Sequence, residues 1–515
     1  MPLPHQGSEI AGQIAGKEPV RLSRREALKL ASLSAMAAAL PACASKAVSS
    51  VSMGLEEPLY FSTASQLRNA IRNKEVSCVE VVTACLNRID SVNAALNAVV
   101  QLDRNGALQA AKESDQAILR GDVTAPLHGL PMTIKDSLDT RGMISTGGTL
   151  GRQSYLPKAD ATVVSRLRNA GAILMGKTNT PELTLSFDTN NLVYGQTHNP
   201  FDLSKSPGGS SGGAAAIIAA GGSPFDIGSD YGGSIRLPAH FNGICGLKPT
   251  AGRVPRTGHI YPFGGIQDSF QQLGPLARSV DDLALLLPII MGPDGVDPGA
   301  LPLEWHDPLE QQAIKLRVAW FTDNGISTPT PETQNAVQNA ATAVSAIGAK
   351  VKEDRPPGIE NTLDVLLPIY FWDGGATIRR LLREAGTTEH TLGDFTDTPA
   401  LQATELEAAL LRLDQWRSAL LGYMQAFDVL ICPVNSAPTF TIGSQSNEIL
   451  TARGSYAMAF NALGWPAVVL PAGQSATGLP IGVQVVAGPG REDRALAVAQ
   501  VIEQSLGGYQ RPIGF

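Results

Sequence analysis

Apolar positions along the chain change their period three times. Ser77-Cys78-Val79-Glu80 has the S-x-x-E spacing of a capping box, and behind it Val81, Val82, Cys85, Leu86 and Ile89 recur at helical intervals. This predicts an N-terminal helical region running on through the Ala-rich stretch around Ala107 to Leu119. From Leu127 the texture becomes short apolar runs punctuated by Gly and Pro: LHGLPMTIKD, AILMGKT, PFDIGSD and GICGLKP. Runs of this length between helical stretches fit buried strands of an α/β core better than amphipathic helices. The segment 300–425 returns to helical spacing, as in Arg379-Arg380-Leu381-Leu382-Arg383 and Leu406 to Leu421, and reads as a helical cover. VLICPV, PAVVLPAG and GLPIGVQVVA then restore the core texture. The last strands are therefore expected to rejoin the sheet begun near Leu127, in one large discontinuous domain.

The first residues follow neither pattern. Ser23-Arg24-Arg25-Glu26-Ala27-Leu28-Lys29 resembles the twin-arginine export signal, and Leu30 to Ala42 behind it is apolar, Ala-rich and too short to span a bilayer permanently. Residues 1–45 are expected to be a removable leader, 46–58 a small and polar linker, and 59–515 the single folded domain. Leu40-Pro41-Ala42-Cys43 also resembles a lipoprotein cleavage box, in which Cys43 would become the lipidated first residue; Ala42-Cys43-Ala44 fits an A-x-A cleavage site equally. Either form implies export to the periplasm or the medium, with membrane association only through a lipid at Cys43.

Composition narrows the partners. The 40 Lys and Arg against 47 Asp and Glu give a formal charge of -7, and aromatics are 5%, so a nucleic-acid partner has neither a basic surface nor stacking platforms to bind. Cys43, Cys78, Cys85, Cys245 and Cys432 show no CxxC pair and no metal-ligand spacing with the histidines. Cys78 and Cys85, on one predicted helix, lie about 10 Å apart along its axis, too far for a disulfide. Buried free thiols are expected.

Four segments carry candidate chemistry. Gly171 to Thr178 matches the phosphate-loop pattern G-x-x-x-x-G-K-T, but its middle residues Ala172-Ile173-Leu174-Met175 would be a strand rather than a turn of backbone N–H groups, so ATP binding is set aside. PGGSSGG, from Pro207 to Gly213, satisfies Gly-x-Ser-x-Gly at both Ser210 and Ser211; the polar, proline-interrupted residues before it predict no strand, as a nucleophile elbow would need. Gly228 to Arg236 follows a predicted strand from Pro224 to Ile227. There two glycines ahead of Ser234 let successive N–H groups point at one spot, which makes Ser234 the better-placed nucleophile. Lys135 ends the apolar run Pro131 to Ile134. A buried lysine loses its charged form, and reaching neutrality at pH 7 from about 10.4 costs on the order of 4 kcal/mol, which desolvation supplies.

TIKD (Thr133 to Asp136), PGGSSGG, GSDYGGSIRLP (Gly228 to Pro238) and GICGLKPT (Gly243 to Thr250), in this order and with Ser210 24 positions before Ser234, resemble the amidase signature hydrolases. Sparser similarity covers about residues 60 to 510. The resemblance implies an α/β fold with a large twisted mixed β-sheet core covered by helices on both faces. It also implies a catalytic triad of Lys135 as base, Ser210 as bridging serine behind a cis Gly209–Ser210 peptide, and Ser234 as nucleophile. Backbone N–H groups of Tyr231, Gly232, Gly233 and Ser234 would form the oxyanion hole, with Ser211, Asp230 and Arg236 in support, and no metal or organic cofactor is required.

The function implied is cleavage of a small, partly apolar carboxamide into acid and amine through an acyl-enzyme on Ser234. Esters and carbamates pass through the same chemistry and remain alternatives, as does a non-catalytic binding protein on this fold. The family also contains a transamidating subunit that works on charged tRNA; an export leader argues against that role. Among histidines His128, His198, His240 and His259 fall in or near the core and leave a Ser-His-Asp mechanism open. Tyr370-Phe371-Trp372 and Trp416 of the cover are candidates both for an apolar substrate pocket and for plain core.

Overall fold

Ser77 caps as its spacing predicts: its hydroxyl accepts the Glu80 N–H at 3.1 Å while the Glu80 carboxylate accepts the Ser77 N–H at 2.8 Å. The computed structural model describes residues 58–122 and 125–515, so the leader, most of the linker and Cys43 lie outside the described residues. The described residues form one compact unit. Helices α1 (Ala64–Arg72) and α2 (Cys78–Leu96) open it. The helical region does not run unbroken to Leu119. Asn97 ends α2 in the left-handed region at φ 49°, and strand β1 (Val99–Leu102) intervenes. Asp103 then caps α3 (Arg104–Arg120) by accepting the Gly106 N–H at 2.9 Å. A β-branched pair next to an Asn cap overrides the Ala-rich continuation.

Two sheets follow. Strand β2 (Pro131–Lys135) pairs in parallel with β3 (Ile173–Thr178), and β1 closes this three-stranded sheet on the other edge of β3; α4 (Thr162–Asn169) leads into β3. α5 (Gly212–Ala219) precedes β4 (Phe225–Asp230), and α6 (Arg236–Phe241) precedes β5 (Cys245–Lys248), β6 (Gln272–Ala277) and α7 (Val280–Ile290). β2 lies alongside β4, where the Thr133 hydroxyl donates to Asp226 Oδ2 at 2.7 Å.

The segment 300–425 is not all helix. It contributes β7 (Arg317–Trp320) and β8 (Lys350–Glu353) with α8 (Pro331–Ala346) between them, and only then the helices α9 (Thr362–Tyr370), α10 (Ala376–Ala385), α11 (Gly393–Thr396) and α12 (Ala403–Tyr423). The two strands are four residues each and β8 is largely exposed, so neither leaves a clear apolar run. β9 (Val429–Pro433), α13 (Asn447–Ala462), β10 (Ala467–Gln474), β11 (Pro480–Ala487) and α14 (Glu492–Leu506) complete the chain.

The larger sheet has the order β4-β6-β5-β10-β11-β9-β7-β8, antiparallel as far as β9 and parallel from β9 to β8. It is a mixed sheet, and the late strands join β5, with β6 and β4 beyond it, rather than the sheet begun near Leu127, whose β2 and β3 stay with β1 in the smaller one. Alternation along β10 assigns its faces: Val468 and Leu470 pack in the cluster containing Leu496 and Val498 of α14, whereas Val469 packs with Ile218 of α5 and Leu237 and Ala239 of α6. Helices therefore cover both faces. Cys78, Cys85, Cys245 and Cys432 are buried free thiols. No helix of the described residues is long and apolar enough to cross a membrane.

The N-terminus of α5 meets the end of β3 at backbone distance. A Cβ at Gly213 would sit 2.4 Å from the Asn179 N, inside any tolerable contact, whereas one at Gly422 in α12 would meet nothing within 4 Å. Gly213→Ala is expected to lower the thermal midpoint or prevent folding, and Gly422→Ala to raise stability by about 0.5 kcal/mol. Thermal melts of the two variants check both signs.

Candidate active site

Lys135, the last residue of β2, is completely buried. Its Nζ lies 2.7 Å from Ser210 Oγ, 3.0 Å from Ser211 Oγ and 3.0 Å from Ser229 Oγ. Burial pulls its pKa down to about 7, against the opposing pull of Asp226 and Asp230. A neutral amine has two donors and one lone pair. The Ser211 hydroxyl donates to the Ser229 carbonyl at 3.4 Å, so it accepts from the lysine. That leaves the Ser210 hydroxyl, at the shortest distance, suited to donate into the lone pair.

Ser210 follows a cis peptide from Gly209, in the loop that enters α5. The Ser211 N–H donates to the Ser234 carbonyl at 3.1 Å and ties this loop to the one between β4 and α6. Ser234 is 5% exposed. Lys135, Ser210, Ser211 and Ser234 thus meet at the edge where β2 lies beside β4. The side-chain link runs from Lys135 to Ser210, and the loops of Ser210 and Ser234 are joined through backbone.

Asp230 organises the second loop from beneath. Its Oδ1 accepts the N–H of Gly233 at 2.9 Å, Arg236 Nη2 at 2.9 Å and Asn461 Nδ2 at 2.8 Å. Its Oδ2 accepts the N–H groups of Ile235 at 3.1 Å and Arg236 at 3.3 Å, and Arg236 Nε at 3.0 Å. Burial alone would raise this carboxyl; the Arg236 guanidinium overrides it and holds Asp230 well below the usual carboxylate range. Arg236 itself is buried and also donates to the Ala457 carbonyl, Gln484 and Asn461. Of the four amides expected at the oxyanion, that of Gly233 is therefore taken up by Asp230. Those of Tyr231, Gly232 and Ser234 donate to no described residue.

The histidines are otherwise engaged. His240 Nε2 pairs with the Ala437 carbonyl at 3.0 Å and Nδ1 accepts the Gly482 N–H at 2.7 Å, and burial pushes its pKa down to about 4. His259, buried beside the charge of Lys135, is pushed down to about 3. His128 and His198 pair with the carbonyls of Ser114 and Leu203. No described histidine is bonded to Ser210 or Ser234. Lys177 of the phosphate-loop look-alike is inside strand β3, donating to the Leu138 carbonyl, Thr140 and Ser145, and makes no phosphate cradle.

Three participants were assigned no catalytic part from the sequence. Ser229 touches the Lys135 amine. Asp226, bonded to the hydroxyls of Thr133 and Thr178, is pushed up to about 7 by burial against those bonds and the pull of Lys135. Both sit in β4, buried along its whole length, where polar side chains persist only when bonded; that is the available sequence signal. Tyr370 at the end of α9 donates to the Tyr231 carbonyl. Trp416 does not reach the site: its indole N–H donates to the Gly358 carbonyl at 2.7 Å within the core. Phe371 packs against Phe395 with tilted rings, 5.9 Å between centroids.

The family model for amidases matches residues 80–496. The chain belongs to the amidase signature family. Across 482 residues it is 34% identical to a glutamyl-tRNA(Gln) amidotransferase subunit of Carboxydothermus hydrogenoformans, covering 87% of this chain and 98% of that one. It is 32% identical over 482 residues to an acylamidase of Rhodococcus erythropolis, with 87% and 96% covered. Among solved structures, 6-aminohexanoate cyclic dimer hydrolase complexed with substrate superposes with a TM-score of 0.76 at 29% identity, covering 88% of this chain and 99% of the other. The mixed sheet with helices on both faces is thus the amidase signature fold.

In this amidase the Asp230–Arg236 pair is buried on both sides, and removing one partner strands the other charge. Arg236→Met is expected to cost about 3–5 kcal/mol. Arg380→Ala, breaking the exposed pair with Glu384 on α10, should cost under about 0.5 kcal/mol. Urea unfolding of both variants against the wild type measures the contrast.

Proposed function

We propose that this member of the family is a serine hydrolase that splits carboxamides into acid and amine through an acyl-enzyme on Ser234. The observation that carries the reading is the buried Lys135 amine, 2.7 Å from Ser210 Oγ and surrounded by hydroxyls. Neutral Lys135 accepts the Ser210 proton as Ser210 takes that of Ser234, whose oxygen attacks the carbonyl carbon. The N–H groups of Tyr231, Gly232 and Ser234 receive the oxyanion, each donor of this kind being worth about 2.7–4 kcal/mol. The proton returns through Ser210 to the leaving nitrogen, and water removes the acyl group by the reverse path. Hydrogen bonds of such relays often close only around substrate, which accommodates a Ser234 hydroxyl that bonds to no described residue.

The substrate we infer is a small, partly apolar amide. A Cβ at Gly232 would face Tyr370, Met458 and Phe187 at 3.7–3.8 Å, and Leu183, Leu185, Ile378 and Leu381 cluster with Tyr231 and Tyr261. The acylamidase relative supports this class. A glutamine-hydrolysing subunit is the second reading, favoured by the amidotransferase relatives. The Arg24-Arg25 leader supports an exported enzyme instead, with Cys43 as a candidate lipid site.

A panel of an aryl amide, an alkyl amide, the matching ester and carbamate, and glutamine, with Ser234→Ala as the blank, separates these readings. Aryl or alkyl amide turnover above all others is the expected outcome; ammonia release from glutamine alone would replace it with the second reading. Loss of the chemical step in His240→Ala with Lys135→Ala active would sink the lysine mechanism.

Only the neutral amine accepts a proton, and protonation of Lys135 sets in below about pH 7. kcat/KM should therefore fall about tenfold per pH unit on the acid side of that value and level off above it. Lys135 and Asp226 titrate as a pair. Asp226→Asn removes a negative charge that favours the ammonium, so the acid limb should move to lower pH, read from a pH–rate profile.

A further inference from the structure

Each unengaged amide of the oxyanion loop belongs to a peptide whose carbonyl is held from behind. In a trans peptide the C=O and N–H point in opposite directions, so a donor on the carbonyl aims the N–H. The Asp230 carbonyl, in the peptide that carries the Tyr231 N–H, accepts Asn461 Nδ2 at 3.1 Å. The Gly233 carbonyl, paired with the Ser234 N–H, accepts the Leu237 N–H at 2.7 Å. The Tyr231 carbonyl, paired with the Gly232 N–H, accepts the Tyr370 hydroxyl. The first two anchors come from buried residues that also hold Arg236 or continue α6. The third arrives from α9, in the segment 300–425 that the amidase motifs do not include.

Tyr370 is itself fixed. Gln267 Nε2 donates to the carbonyls of Ile369 and Tyr370 at 2.7 Å each, while Gln267 Oε1 accepts the Tyr231 hydroxyl at 2.6 Å. The Tyr370 ring packs on Tyr231, with centroids 4.7 Å apart, and on Phe270 at 5.6 Å. Burial drives the Tyr370 hydroxyl far above its ordinary pKa, so it remains a donor throughout the working range.

We propose that Tyr370 is a positioning residue of the oxyanion hole: its hydroxyl, through the Tyr231 carbonyl, orients and polarises the peptide whose Gly232 N–H receives the oxyanion. This rests on the acyl-enzyme chemistry at Ser234 proposed above. A hydrogen bond at one end of an amide strengthens donation at the other, and the gain is realised only as the substrate carbonyl becomes an oxyanion. Loss of the hydroxyl therefore lowers kcat rather than raising KM.

Tyr370→Phe in the full chain is the test, with Tyr423→Phe as control, because that hydroxyl also donates to a backbone carbonyl in the cover, Asp354, but away from the loop. Tyr370→Phe is expected to lose about tenfold in kcat with KM within about twofold, and to lose affinity for a boronic acid, which forms a tetrahedral adduct on the serine, by the same factor. Affinity for the product carboxylate and the control's kcat should not change. Unchanged kcat and boronate affinity would overturn the inference, as would an equal loss of boronate and product affinity, which would make Tyr370 a pocket wall. 3-Fluorotyrosine at position 370 keeps the shape and strengthens the donor, so it reads the effect even where the phenylalanine variant does not fold. Tighter boronate binding supports the inference and unchanged binding overturns it. A wild-type enzyme that forms no boronate adduct on Ser234 would instead overturn the acyl-enzyme reading itself.

Discussion

A lysine amine kept out of water is the constraint on which the rest of the site depends. Stripped of solvent, Lys135 must find partners for every lone pair and proton, and it finds hydroxyls alone: Ser210, Ser211 and Ser229. To bring them within 3 Å, the PGGSSGG loop must pass under β4 and enter α5 without Cβ atoms at Gly212 and Gly213, where the Thr189 side chain and the Asn179 backbone already sit. The same crowding accounts for the glycines around the serines. They let the loop approach the strands, and the serines then satisfy the amine.

Low basicity alone does not single this lysine out. Burial also takes Lys177 down to about 8 and Lys248 to about 7. Their partners differ in kind. Lys177 donates to the Leu138 carbonyl and to the hydroxyls of Thr140 and Ser145, whose own protons go to the carbonyls of Leu138 and Met143, so all three act as acceptors, and Asp136 stands beside it; Lys248 donates to the Pro249 carbonyl and Gln272 Oε1. Carbonyl oxygens only accept, so they suit an ammonium with its three donors and offer nothing to a lone pair. The Ser210 hydroxyl donates to no carbonyl among the described residues and can both give and take. Around Lys135 the partner set fits either protonation state, which is what a base that gains and loses a proton in each cycle requires.

How far this was legible from the sequence follows the same physics. Ser210, Ser234 and Lys135 stand out because glycine-flanked serines and a lysine ending an apolar run conflict with the bland expectation for their positions. Strands β2 to β5 and β9 to β11 were legible as apolar runs, since burial on both faces leaves no polar alternation. β7 and β8 were not, being four residues each, with β8 mostly in water. Asp226 and Ser229 lie in a strand whose pattern looks ordinary until its neighbour β2 is known. Tyr370 and Asn461 lie 139 and 231 residues from their contacts at Tyr231 and Asp230, and nothing local marks either pairing.

Those distant anchors bear on how the fold divides its labour. Asp230 and Arg236 hold the oxyanion loop by its N–H of Gly233 and by the turn into α6, both within the signature segment. They leave the Tyr231–Gly232 peptide free to rotate about its flanking bonds, and a glycine on one side offers little resistance. The hydroxyl from α9 removes that freedom. The cover also supplies Ile378 and Leu381 to the apolar cluster beside the loop. One layer thus supplies apolar side chains beside the loop and a hydrogen bond to its backbone. On the chemistry proposed, a change in the cover that shifts α9 would reach the Gly232 N–H through the Tyr370 hydroxyl, so the cover would bear on both the apolar surface and oxyanion binding.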